Sequence, residues 1–175
     1  MSLIVEDGTG LPTAESYISV ADANTYLASV GETAWADYDV AEVKEPALRN
    51  ATEYLGQVYR TRWQGSRSSL DQMLDWPRSG VAKRDGYGGT YEANIVPVEV
   101  QRACAKLALK AAAAKAAGSS LAPDIGRLAS REKVGPLEVQ YAEGGVAYTR
   151  YREVDMLLEP FLSGGGSICV LLQRQ

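Results

Sequence analysis

The sequence predicts a mainly α-helical protein: a small helical bundle with one minor β element near residues 131–141 and an extended, strand-like C-terminal tail. Three segments repeat apolar residues every three or four positions and begin at a capping residue or a proline. With 175 residues, of which 46% are hydrophobic, the chain is long enough for one core. We therefore expect one domain over residues 1–162 and a separate tail over residues 163–175.

The first helix is predicted within "SVADANTYLASVG", which begins at Ser19. Ser19 suits the N-cap, with Asp22 three residues later, and Gly31 suits the end of the helix. A second, short helix begins at Thr33, and Trp35 would hold it against the core. The expected apolar face of the first helix consists of Val20, Ala23, Leu27 and Val30.

Two longer helices are predicted further along the chain. Pro46 fits the first turn of "EPALRNATEYLGQVYRTRW", and Pro97 opens "PVEVQRACAKLALKAAAAKAAG", which ends at Gly118. The alanines of the latter favour close packing on its neighbours. Residues 64–96, between these helices, are rich in Pro, Gly, Ser and Asp and predict a long loop. Within it, "LDQMLDWPRSG" has enough apolar residues to pack on the core.

The last third of the sequence changes character. Residues 137–141 alternate between apolar and polar side chains, which predicts a half-buried strand within a β element over residues 131–143. Residues 152–162 suit a short amphipathic helix. After a hinge of three glycines at 164–166, the tail is apolar on both faces and is expected to bind a partner, because an exposed strand of this kind aggregates. The alternative is pairing within the chain beside residues 137–141. The tail residues expected to make these contacts are Ile168, Cys169, Val170, Leu171 and Leu172.

Charge is unevenly distributed along the chain. The formal net charge is -4, yet residues 60–135 hold 13 basic and 7 acidic side chains, whereas residues 1–59 hold 10 acidic and 2 basic ones. The molecule is therefore expected to be dipolar. Tyr91, and Tyr87 before it, suit stacking on bases, although such loops are equally common at protein contacts. Five basic residues are candidate contacts for DNA or an acidic partner: Arg102, Lys106 and Lys110, in a stripe along one helix, and Lys83 and Arg84 in the loop. A stripe of this kind is also typical of a solvated helix face.

The composition excludes several kinds of site. The chain has no histidine, and its two cysteines lack metal-binding spacing, so neither a catalytic triad nor a zinc site is predicted. We expect no enzymatic activity, no cofactor and no metal. No segment reaches the ~20 apolar residues of a membrane span, so no membrane partner is expected.

Several segments between residues 3 and 141 resemble a known family when taken together. They are "LIVEDGTGLPTAESYISVADANTYL", "LRNATEYL", "LDWPRSGV" followed by "RDG", "VPVEVQRACAKLAL" and "EKVGPLEVQY". This combination resembles the tailed-bacteriophage proteins labelled DnaT-like single-stranded-DNA-binding proteins, which in turn resemble head-tail connector (adaptor, head-completion) proteins.

The resemblance implies a structural virion protein that completes the head and provides a DNA passage. Its implied partners are the portal protein, neighbouring copies in a ring, commonly twelve, a tail-side completion or terminator protein, and packaged DNA in transient contact. Its implied location is the virion neck, after assembly in the host cytoplasm. The alternative is a single-stranded-DNA-binding protein of phage replication.

Overall fold

The structure, a computed structural model, describes residues 2–84, 88–122, 131–134, 137–140 and 149–163. The described part contains four α-helices: α1 (Val20–Ser29), α2 (Glu45–Tyr59), α3 (Val98–Ala116) and α4 (Arg152–Leu158). Its strands form two antiparallel pairs, β1 (Ser66–Arg67) with β2 (Arg78–Ser79) and β3 (Arg131–Val134) with β4 (Leu137–Gln140). Single turns of other helix types are the 3-10 helices Thr33–Trp35 and Glu159–Phe161 and the π-helix Val40–Lys44. The prediction of a mainly α fold with a minor β element is confirmed.

The core is built around α3, which packs against α1, α2 and α4. Alanine dominates the buried face of α3, so the neighbouring backbones approach closely. The buried residues of this face include Val100, Ala103, Cys104, Leu107, Ala108, Ala111 and Ala112. From α2, the fully buried Leu48 and Leu55 pack into the same core. Burial of these apolar side chains is the main stabilising contribution to the bundle.

The ends of α1 follow the predicted capping chemistry. The Ser19 hydroxyl oxygen accepts from the Asp22 N–H at 3.0 Å, and Gly31 adopts a φ of 81° directly after the helix. The apolar face is correct for Ala23 and Leu27, which are fully buried, and wrong for Val30, which is 48% exposed. Val30 is the C-cap residue of α1 and lies beyond its last helical turn, so it does not share the buried face.

Residues 64–96 form a long loop whose described part has little regular structure but a buried interior. The Gln72 side chain donates to the carbonyls of Leu74 at 2.8 Å and Pro77 at 3.1 Å. The buried Arg78 guanidinium donates to the carbonyls of Gln64 and Gly65, both at 2.7 Å. Two buried polar side chains thus satisfy backbone groups that a sheet would otherwise pair. The prediction that this part of the loop packs on the core is confirmed.

An aromatic cluster joins this loop to α2 and α4. The Trp63 and Trp76 rings meet edge to face at 5.8 Å, and Trp76 meets Phe161 edge to face at 5.6 Å. Tyr59 packs on Trp63 at 5.8 Å, and Tyr91 packs on Phe161 at 5.1 Å. Such arrangements add to the burial of the ring area itself. The cluster therefore fixes the end of α2, the loop and the end of α4 relative to one another.

The last described residue is Ser163, whose N–H donates to the Arg62 carbonyl at 2.6 Å. The glycine hinge over 164–166 and the five tail residues, Ile168 to Leu172, lie outside the described residues. The proposed tail contacts and the division of the chain at residue 162 therefore stay predictions.

Replacing Trp76 by alanine is expected to lower the free energy of unfolding by about 3–5 kcal/mol, because the change leaves a cavity where three parts of the chain meet. The measurement is urea denaturation. Met73→Ala is the matched control from the same loop, since Met73 is 57% exposed; it should change the free energy by less than about 0.5 kcal/mol. Equal losses in both variants would show that the cluster does not anchor the loop.

Candidate functional site

The predicted basic stripe exists on α3, but part of it is engaged within the chain. Lys106 Nζ lies 2.9 Å from Glu153 Oε2, and Lys110 Nζ lies 3.7 Å from Glu153 Oε1. The Arg102 guanidinium lies 5.5 Å from the centre of the Tyr26 ring, in a cation–π contact. Two of the three cations thus share one carboxylate of α4, which reduces the positive charge the stripe presents to an anionic ligand.

The ion pair between α3 and α4 changes the acidity of both partners. The hydrogen bond from Lys106 lowers the pKa of Glu153, and the same hydrogen bond raises the pKa of Lys106. The Glu153 side chain is 43% exposed, so solvent screens the interaction and its net contribution to stability is small.

Lys83 and Arg84 lie on the surface beside the end of α4. The Lys83 N–H donates to the Gly89 carbonyl at 2.9 Å, and its ammonium lies 5.5 Å from the centre of the Tyr91 ring. The Arg84 guanidinium donates to the Leu162 carbonyl at 3.3 Å. Within the part of the chain that the structure describes, neither cation forms an ion pair with a carboxylate. Neither charge is therefore neutralised by a described carboxylate.

Two further basic residues, Arg60 and Arg62, follow α2, and the Arg62 backbone contacts the segment that also binds Arg84. The Leu162–Ser163 segment connects the two parts, because Ser163 donates to the Arg62 carbonyl while Leu162 accepts from Arg84. The Arg62 guanidinium lies 5.5 Å from the centre of the Tyr59 ring. Arg60 Nε lies 3.1 Å from Asp75 Oδ1. We call the resulting surface the basic ridge; it consists of Arg60, Arg62, Lys83 and Arg84.

Sequence reasoning missed Arg60 and Arg62 as site residues. The signal that was present is "YRTRW", residues 59–63, where bases alternate with aromatic residues at the end of a helix. Basic and aromatic side chains in alternation are typical of surfaces that bind single strands.

Of the two loop tyrosines, only Tyr91 is described, and its contacts differ from the predicted role. Tyr91 is half-buried, and its ring packs against Phe161 and under the Lys83 ammonium. Tyr91 therefore positions the Lys83 ammonium, and its ring is not open for a base to stack on. Tyr87 lies outside the described residues.

Other kinds of site receive no support from the described residues. Among them, no three Cys, Asp or Glu side chains come together in a way that suits a metal ion. Cys104 is fully buried, and burial raises the pKa of its thiol, which makes it a poor nucleophile. None of the helices in the described ranges has the length and apolar content needed to cross a membrane. The absence of enzymatic activity and of a cofactor stays a prediction.

Comparison with known proteins gives one match. A family described as "Putative DnaT-like ssDNA binding protein" matches residues 1–175. No curated protein and no solved structure matches the chain.

This match corrects the head-tail connector interpretation, which is wrong in its function and in its partners. The family description names single-stranded DNA, and it gives no support to the portal protein, a ring of twelve copies or a tail-side completion protein. The connector interpretation relied on a resemblance of this family to head-tail connector proteins, which the match does not support. The description agrees with the alternative, and the chain belongs to the family of DnaT-like single-stranded-DNA-binding proteins.

Proposed function

We propose that the protein binds single-stranded DNA inside the host cell through the basic ridge, without catalysing a reaction. The observation that carries the proposal is the pair of exposed cations, Lys83 and Arg84, which have no carboxylate partner among the described residues, in a chain of this family. Arg62 extends the pair along the Leu162–Ser163 segment.

The ridge suits the phosphate backbone of a strand. Guanidinium groups offer planar pairs of N–H donors that match phosphate oxygens, and an ammonium adds a compact positive charge. Each phosphate contact also releases counterions, so the affinity depends on salt. Because phosphates are the same in every nucleotide, contacts of this kind bind any sequence.

The ridge is favoured over the α3 stripe because of Glu153. A phosphate that bound Lys106 or Lys110 would have to compete with a carboxylate already 2.9 Å and 3.7 Å from them. No such competitor faces Lys83 or Arg84 in the described part of the chain. Arg102 is the one stripe residue without an ion pair there, and a single cation gives little affinity.

The acidic N-terminal part of the protein also favours binding of the strand at the basic ridge. Residues 1–59 hold 10 acidic side chains against 2 basic ones, so this part of the surface repels phosphates. Repulsion there and attraction at the ridge together restrict the strand to one surface. A protein with a net charge of -4 can therefore bind DNA locally.

Removing both loop cations in Lys83→Ala/Arg84→Ala is expected to weaken binding of a labelled oligo(dT) about tenfold or more in low salt. The slope of log affinity against log salt should fall by about 1.4, since each lost phosphate contact removes about 0.7 for a single strand. Fluorescence anisotropy across a salt series measures both the affinity and its dependence on salt. The matched control, Arg102→Ala/Lys110→Ala, removes one Arg and one Lys from the stripe and should change the affinity less than twofold.

Two outcomes would contradict the proposal. Wild-type protein that fails to bind the oligonucleotide at low salt would remove single-stranded DNA as the ligand. A larger loss in the stripe variant than in the loop variant would move the binding surface to α3.

Glu153→Gln tests whether the ion pairs of Glu153 with Lys106 and Lys110 form in solution. Because Lys106 lowers the pKa of Glu153, the carboxylate stabilises the fold above its ordinary pKa of 4.5, and this stabilisation is lost as the pH falls through the lowered pKa. At pH 7 the variant should be less stable by about 0.5–1 kcal/mol, after allowance for solvent screening. The difference should disappear in acid. Urea denaturation at several pH values measures it, and identical stability at pH 7 would mean that Glu153 does not hold the stripe.

A further inference from the structure

A groove beside α2 has features that the ridge does not use. Its volume is about 320 Å³, and it lies between α2, Tyr17 and the loop residues 73–75. Three carboxylates (Glu15, Glu53 and Asp75) and two guanidiniums (Arg49 and Arg60) line it, so its formal charge does not favour a phosphate. A neutral group with N–H donors suits this lining better.

The groove has a buried acceptor without a donor. The Asp75 side chain is 3% exposed, and its Oδ1 accepts from Arg60 Nε at 3.1 Å. Its Oδ2 is buried and has no hydrogen-bond partner in the described part of the chain. A buried carboxylate oxygen is costly unless it is hydrogen-bonded, so a donor from a ligand would remove that cost.

Gly56 keeps the space beside this acceptor empty. Glycine weakens a helix interior relative to alanine, and Gly56 has no positive φ that would require it. A Cβ at this position would lie 3.8 Å from Asp75 Oδ2 and 3.5 Å from Arg60 Nη2, which are ordinary contacts. The fold therefore does not need glycine here, and an added methyl group would fill the space beside Oδ2.

We propose that this groove binds one amino-bearing nucleobase of the bound strand, whose exocyclic N–H donates to Asp75 Oδ2. The inference rests on the proposed function, since the base belongs to the strand on the ridge. Cytosine, adenine and guanine carry such an amine, whereas thymine has a carbonyl oxygen at that position. The N3–H of thymine lies between two carbonyl oxygens, which the carboxylate repels. Arg60 links the groove to the basic ridge. Its side chain is 64% exposed, it belongs to the ridge, and it contacts Asp75 in the groove.

The experiment compares two oligonucleotides of equal length, one of 5-methylcytosine and one of thymine, by fluorescence anisotropy. Both bases carry the same methyl group, so the comparison isolates the amine and the ring edge beside it. Wild-type protein should bind the 5-methylcytosine strand about fivefold more tightly or better. In Gly56→Ala the preference should fall below twofold, the thymine affinity should stay unchanged, and the midpoint of urea unfolding should rise.

Asp75→Asn replaces the free acceptor with an amide, which can present a donor in its place, so the preference should disappear or reverse. If the Asp75→Asn protein does not fold, the Gly56→Ala measurement alone tests the assignment of the groove. A Gly56→Ala protein that keeps the full preference overturns the assignment of the groove. Equal wild-type affinity for both strands overturns this inference and leaves the proposed function standing, whereas no binding to either strand overturns both.

Discussion

The edge-to-face contacts of Trp76 with Trp63 and Phe161 are the constraint on which the candidate site depends. The described part of the loop that carries Lys83 and Arg84 has a two-residue strand pair and a few further backbone hydrogen bonds, so side-chain packing contributes much of what holds it in position. A ring has a preferred direction of approach because its face is negative and its edge positive. Three rings in contact therefore set the orientation of the loop as well as its depth in the core.

α4 lies between the two basic surfaces and affects their positive charge differently. Near its start, Glu153 neutralises part of the α3 stripe, and beyond its end the Leu162 carbonyl accepts from Arg84 without neutralising it. A carbonyl orients a guanidinium and leaves its charge intact, whereas a carboxylate cancels it. One helix thus lowers the phosphate affinity of one surface and organises the other.

The local features of this protein were predictable from sequence, and the features that join distant residues were not. Periodicity and capping residues predicted α1, α2 and α3, since each signal lies within one helix. The pairing of Lys106 with Glu153 spans 47 positions, so the stripe looked free in the sequence. Likewise, the ridge depends on contacts of Leu162 and Ser163, which no local pattern records. Val30 was misplaced because the helix ends one residue earlier than its apolar pattern.

The aromatic cluster also gives the protein an optical property. Of the three tryptophans, Trp63 and Trp76 belong to the cluster beneath the ridge, while Trp35 contacts Tyr38 and Lys44 elsewhere in the core. Indole emission responds to nearby charge, and the indoles of Trp63 and Trp76 are too buried to stack on a base. A strand on the ridge would therefore be visible in the intrinsic fluorescence of the unlabelled protein, against a constant background from Trp35.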